Sequence, residues 1–293
     1  MITLARLALL GALSGSPALA DISAFNGIGR HAEPSTAAFR MTTLDLPGSH
    51  LGEDTAAYSV EANITPTFPL FRASGGPLPG AYLLTATPQF VVRRSDGVPS
   101  NPVRTPSYIP AVTLFYGPGD SLGTTGTTWY ASWTLSHYSN GQTGSFFQPG
   151  GRALNNVDGS FSLWSAAAAI HLLNDWPFLP EYKALQLKYV YGKEGGLDAL
   201  YPDYVVSVRM QTADHARARA LIDLDWMVRK GGSSPDALKP VPLSGALTGV
   251  YAPGGLFPTL ALFARFYAGI DNYNMNFDKE IYRLDLGLML APL

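Results

Sequence analysis

Tyr58, Val60, Ala62, Ile64, Pro66, Phe68 and Leu70 place an apolar side chain at every second position, with Ser59, Glu61, Asn63, Thr65, Thr67 and Pro69 between them. A period of two belongs to the β-strand, whose successive side chains point to opposite faces, so the segment reads as a strand with one oily and one mostly wet face. The pattern returns at Ala218, Ala220, Ile222, Leu224, Trp226 and Val228, opposed by Arg217, Arg219, Asp223 and Asp225. It closes the chain at Tyr282, Leu284, Leu286, Leu288 and Leu290. Weaker versions lie near 81–93, 108–116, 128–139, 160–172, 182–191, 203–212, 240–251 and 257–270, with a poorer one at 38–46. That makes twelve segments.

Composition decides what such strands build. Charged residues are 14% of the chain, well below the roughly 25% of soluble domains. Outside the N-terminus no apolar run reaches the roughly 20 residues that a membrane helix needs. A chain that is greasy yet lacks membrane helices is reconciled by a transmembrane β-barrel, in which only alternate residues need be apolar. A soluble sandwich also alternates, but its solvent face is usually rich in Lys and Glu. Here the polar face mixes Arg, Asp, Ser and Gln, which suits a filled barrel interior; Asp223 and Asp225 with Arg217, Arg219 and Arg229 read as a polar ladder there. The expected fold is an all-β, antiparallel, up-and-down transmembrane barrel of about twelve strands.

Residues 1–20 have the form of a signal peptide: one positive charge by Arg6, an apolar stretch from Leu7 to Leu13, and Pro17-Ala18-Leu19-Ala20 as a small-residue cleavage site. The barrel domain would then span 21–293, beginning with an irregular lead-in, in the outer membrane of a Gram-negative-type cell. The absence of cysteine fits an oxidising compartment. Net charge is −2, so no basic field invites nucleic acid. Longer connectors (47–57, 94–107, 140–159, 192–202, 229–239, 271–279) alternate with mostly shorter ones, which puts the long loops on the cell exterior and both termini in the periplasm.

One stretch carries chemistry: His137-Tyr138-Ser139-Asn140-Gly141-Gln142. His137 and Ser139 continue the parity of Trp129, Ala131, Trp133 and Leu135, so a histidine and a serine stand together on the lipid-facing side at a strand end. Same-face residues two apart are roughly 7 Å apart along a strand, within reach for imidazole to act as general base on the hydroxyl. An H-x-S pair is common by chance; its rim position and the Asn-Gly turn that follows give it weight. His171 has inward parity, His215 sits in a tight turn and His50 in the first outer loop, so none joins the pair.

The stretch resembles the outer membrane phospholipase A family, whose H-x-S-N-G-[RQ] signature is matched by His137, Ser139, Asn140, Gly141 and Gln142. Phe68-Pro69-Leu70-Phe71, Ser100-Asn101-Pro102 with Arg104 and Tyr108-Ile109-Pro110, and the closing stretch Ile270 to Asn276 with Arg283 and Gly287 to Leu290 are similar to other parts of that family. The resemblance implies a calcium-dependent hydrolase of phospholipid acyl esters, acting as a homodimer through a Ser–His–Asn triad. Ser139 would be the nucleophile, His137 the base, and Gly141 an oxyanion donor. Ser100 and Gln142 would bind Ca2+, with Glu194 or Asp198 as an added carboxylate. The family's asparagine falls about fourteen residues after the histidine, where this chain has Gly151. Asn156 is the nominee, with Asn155 and Ser162 as alternatives; Asn155 to Gly159 also reads as simple turn chemistry. If the strand tops align through Ser162 to Ser165, the site carries Trp164 or Ser165. The rival expectations are a structural or pore-type barrel and a lipid A deacylase-like esterase, whose family is shorter.

Overall fold

The computed structural model describes residues 36–45, 58–74, 78–95, 106–118, 129–151, 153–155, 158–174, 180–194, 197–212, 218–228, 243–253, 260–271 and 280–290. The leader expected at 1–20, Ser100, Asn156, His50, His215, Arg217 and Arg229 lie outside these residues.

The strands are β1 (Thr36–Asp45), β2 (Tyr58–Thr65), β3 (Phe68–Ser74), β4 (Gly80–Ser95), β5 (Ser107–Pro118), β6 (Trp129–Ser139), β7 (Ser162–Leu173) and β8 (Tyr182–Tyr191). After a four-residue helix α1 (Leu197–Leu200) come β9 (Tyr204–Gln211), β10 (Ala218–Val228), β11 (Leu243–Tyr251), β12 (Leu260–Ile270) and β13 (Glu280–Leu290). From β4 to β13 each strand pairs antiparallel with the next, β13 pairs back to β1, and β1 pairs with β2. The pairing of β2 with the far half of β4 joins the ends of the series. The strand expected at 58–70 is split into β2 and β3 at Pro66-Thr67. Pro66 has no N–H to give a ladder. Beyond the break, β3 continues along the near half of β4, so thirteen segments make a twelve-membered ring.

Inside and outside are reversed relative to a soluble protein. Trp133, Leu135, Ile170, Leu187, Leu247 and Leu262 stand exposed, and Trp226 is 59% exposed, while Ser132, Ser165, Ser207 and Arg283 are buried and Asp285 is fully buried. That is the order hydrocarbon demands, and antiparallel pairing around the ring satisfies the backbone groups that lipid cannot. Aromatic side chains gather near both strand ends. Phe90, Tyr108, Trp164, Tyr189 and Tyr191 mark one, and Tyr82, Tyr116 and Trp129 the other, with Tyr82–Tyr116 centroids 5.1 Å apart. Such girdles are a feature of membrane barrels.

The lumen is filled in layers. Where β6 begins, Leu83, Phe115, Tyr130, Tyr182 and Ala184 form a buried cluster. Toward the other end Arg93 lies between the Glu61 carboxylate, which its Nε contacts, and Asp271, 2.7 Å from Nη1. Arg283 pairs with Asp285 at 2.8 Å. A cavity of about 190 Å3 remains among Asn63, Gln89, Arg93, Arg265, Tyr267 and Arg283. Of the ladder expected at β10, Asp223 pairs instead with Arg209 of β9 at 3.6 Å, a residue outside that expectation. Beside the end of β6, Tyr138, Phe146, Leu154, Phe161, Leu163, Val190 and Leu197 make a second apolar cluster, contributed partly by the 140–161 connection. Tyr201 packs at its edge; desolvation first, then the charge of Asp225, pushes its phenol above the ordinary range.

Candidate active site

Alternation at the end of β6 sorts the motif residue by residue. Tyr138 and Asn140 are buried, and His137 and Ser139 are half-buried on the opposite parity, the side of exposed Trp133 and Leu135. Tyr138 lies 3.3 Å from Ser107 Oγ through its hydroxyl and packs edge-on against Phe161 at 4.8 Å, which fixes the strand between them. Asn140 donates from Nδ2 to the Gly159 carbonyl at 2.7 Å, and its Oδ1 accepts from the N–H groups of Phe161 at 3.3 Å and Gln142 at 3.4 Å. Gly141 then leaves the strand with φ 65°, and a Cβ there would stand 3.3 Å from the Tyr108 ring. Both the left-handed backbone and the close ring call for glycine.

The 140–161 connection folds on itself. Gly144 N–H donates to Asp158 O at 3.0 Å, Asn155 N–H to Phe146 O at 3.0 Å and Gln148 N–H to Ala153 O at 2.9 Å. The Asn155 amide donates to Ser145 O at 3.0 Å and Asp158 Oδ1 at 2.6 Å, which is the turn chemistry foreseen for it.

Register decides what faces the pair. Across the β6–β7 ladder Ser139 stands opposite Ser162, and His137 opposite Trp164. The imidazole and indole centroids are 4.7 Å apart, with planes inclined by 51°. Among the described residues the close ring contact of His137 is with Trp164, and its side chain makes no hydrogen bond with Ser139. His137, Ser139, Ser162 and Trp164 thus form a two-by-two patch on the outward face, with Gly141 and half-buried Gln142 in the turn beside it. Glu194 comes to the same end of β7, its N–H donating to Ser162 O at 2.9 Å. Asp198 is 83% exposed and lies 3.9 Å from Lys193. Among the described residues no group of three His, Asp or Glu gathers around a common point.

A serine–histidine hydrogen bond lies inside the barrel. Ser132 Oγ is 2.8 Å from His171 Nε2, and His171 Nδ1 is 2.9 Å from the Tyr182 hydroxyl. Tyr130 stacks on the ring at 4.2 Å with planes 7° apart. Inward parity of His171 is legible in the sequence; its partners are not, because they stand diagonally across β6 and β8.

The ring of strands and its exposed apolar face define a transmembrane β-barrel, which carries one serine–histidine pair on its outward face and a hydrogen-bonded one in its lumen. By sequence the chain matches no protein-family profile and no curated protein. By structure it is similar to outer membrane phospholipase A from Escherichia coli, at TM-score 0.55 and 16% identity over 88% of this chain and 92% of that one. It is also similar to the Salmonella typhi outer membrane phospholipase, a dimer with bound calcium, at TM-score 0.56 and 15% identity over 88% and 90% of the two chains. An active-site mutant of the Escherichia coli protein matches at TM-score 0.53 and 16% identity, over 88% of this chain and 89% of that one. At these identities the likeness is one of fold.

Proposed function

We propose that this protein is an outer-membrane phospholipase that hydrolyses acyl esters of membrane lipids at its outer rim, with Ser139 as nucleophile and His137 as general base. The observation that carries the reading is the placement of both side chains on the outward, lipid-facing parity at the aromatic end of β6. A lipid enters such a site sideways from the bilayer, without crossing the barrel wall. The packed lumen favours this over a pore, since apolar clusters and ion pairs occupy the interior. The fold shared with two outer membrane phospholipases supports it further.

In the proposed reaction Ser139 Oγ bonds to the ester carbonyl carbon while its proton passes to His137. The Gly141 N–H serves the oxyanion as donor. The C–O bond to the lysophospholipid breaks, and the departing oxygen takes the proton from the imidazolium. Water, deprotonated by His137, then releases the fatty acid and restores Ser139.

A hard cation prefers oxygen donors, and two residues with such side chains belong to this rim by their backbone: the Gln142 N–H is on Asn140 Oδ1 and the Glu194 N–H on Ser162 O. Gln142 and Ser100 would hold Ca2+, with Glu194 as the added carboxylate. Bound there, calcium supplies Lewis-acid polarisation of the ester carbonyl. Asn156 would orient His137, with Ser162 as its alternate, and a homodimer would bring two rims together.

The test is fatty-acid release from phospholipid micelles by refolded protein. Release that Ser139→Ala abolishes supports the reading. Release only from lipid A makes the protein a deacylase of that lipid, and none from either lipid leaves a structural barrel.

A further inference from the structure

We propose that Trp164 is a second positioning residue for the His137 imidazole, holding it by ring contact beside the hydrogen bond assigned to Asn156 or Ser162. The inference rests on the reading of His137 as base and Ser139 as nucleophile.

Trp164 is the cross-strand partner of His137 in the β6–β7 ladder, and their rings are 4.7 Å apart. On its other side the indole runs beside the end of β8: Trp164 pairs with Tyr191, and a Cβ on Gly192 would stand 3.2 Å from Trp164 Cδ1. Gly192 has φ 57°, a left-handed turn that brings bare backbone against the indole edge. The indole is therefore flanked by β6 and β8, with one side given to the imidazole. Among the described residues, two neighbouring asparagine amides are engaged elsewhere. Asn140 is buried and bonded to Gly159, and Asn155 is bonded to Ser145 and Asp158.

An orienting group has two tasks. It limits the rotation of the imidazole, and it stabilises the imidazolium formed when the serine proton arrives. A flat ring in contact does the first by excluding rotamers. It does the second through its quadrupole, because a cation within about 6 Å of an aromatic centroid is attracted, most strongly by tryptophan. At a membrane rim, where water is partly excluded, that attraction is stronger than at an open surface. Activity should then depend on an aromatic ring at position 164, not on hydrogen-bonding capacity there.

The experiment uses refolded full-length protein in detergent micelles, with folding checked by circular dichroism and gel mobility. Phospholipid hydrolysis is measured beside the rate at which a long-chain fluorophosphonate labels Ser139. Trp164→Leu keeps apolar volume without the quadrupole and should lower both kcat and the labelling rate about five- to thirtyfold, with KM changed less than about threefold. Trp164→Phe keeps a ring and should stay within about threefold of the parent in both readouts. Equal rates for parent and Trp164→Leu, or equal losses for Leu and Phe, overturn the proposal while leaving the Ser–His reading intact. A change confined to KM also overturns it, reducing Trp164 to an interfacial anchor for lipid. If the parent neither hydrolyses nor is labelled at Ser139, the catalytic reading itself fails and takes this inference with it.

Discussion

Asn140, at the end of β6, holds the backbone that leads into β7: its amide donates to the Gly159 carbonyl at 2.7 Å, and its carbonyl accepts from the Phe161 N–H at 3.3 Å. One fully buried side chain thus closes a connection of some twenty residues at its two ends. The Ser139–Ser162 and His137–Trp164 pairs stand directly on that closure.

Asn140→Ala removes these bonds at once. A buried hydrogen-bonding side chain lost in this way costs about 1–3 kcal/mol. The midpoint of denaturant unfolding in micelles should fall accordingly, and hydrolysis should fall with it as the rim loses its register. An unchanged midpoint would show that the apolar cluster around Phe146 and Phe161 holds the connection without Asn140.

The two serine–histidine pairs make opposite predictions. Ser139→Ala and His137→Ala should each lower phospholipid hydrolysis roughly a thousandfold or more, since nucleophile and base act as a unit. Ser132→Ala and His171→Ala should leave kcat within a small factor while costing about 1–3 kcal/mol of stability from a broken interior network. Loss of hydrolysis in folded Ser132→Ala, with Ser139→Ala active, would move the chemistry into the lumen.

Arg93 bridges carboxylates from two distant parts of the chain, Glu61 on β2 and Asp271 beyond β12. Arg93→Ala takes this guanidinium from both interior carboxylates, while Glu61 keeps Arg283 Nη2 at 3.8 Å. Breaking a buried pair from one side costs about 3–5 kcal/mol. Unfolding midpoints should show a drop of that size, and Arg93→Lys should recover only part of it because one ammonium cannot reproduce the fork. A neutral Arg93→Ala would mean that water reaches the cavity well enough to solvate both acids.

Removal of calcium by a chelator should lower hydrolysis about a hundred- to a thousandfold, the scale of one lost oxyanion donor. Gln142→Ala should raise the calcium concentration needed for half-maximal rate. Asn156→Ala should weaken hydrolysis by less than chelation does. Full rates in excess chelator would remove the metal from the mechanism, and parental rates for Asn156→Ala would take the orienting role from that residue.

The barrel was legible in the chain because side-chain direction in a strand is local. A period of two at 58–70, 218–228 and 282–290 is enough to say which residues meet lipid and which meet the lumen, and the same parity puts His137 and Ser139 on one outward side. Only the break at Pro66-Thr67 went beyond that count, since a missing N–H matters at the point where a neighbour's ladder needs it.

What stands opposite a residue is a different quantity. It depends on register, and register between β6 and β7 depends on how residues 140–161 fold, through Asn140 and the Phe146, Leu154 and Phe161 cluster. That is why Trp164, rather than Ser165, came to face His137. The diagonal contacts Ser132–His171–Tyr182 and the pairing of Arg93 with Asp271, 178 positions away, arise the same way. Periodicity carries the face of each strand; the offset between strands is set by loops, shear and closure of the ring, and these exist only in three dimensions.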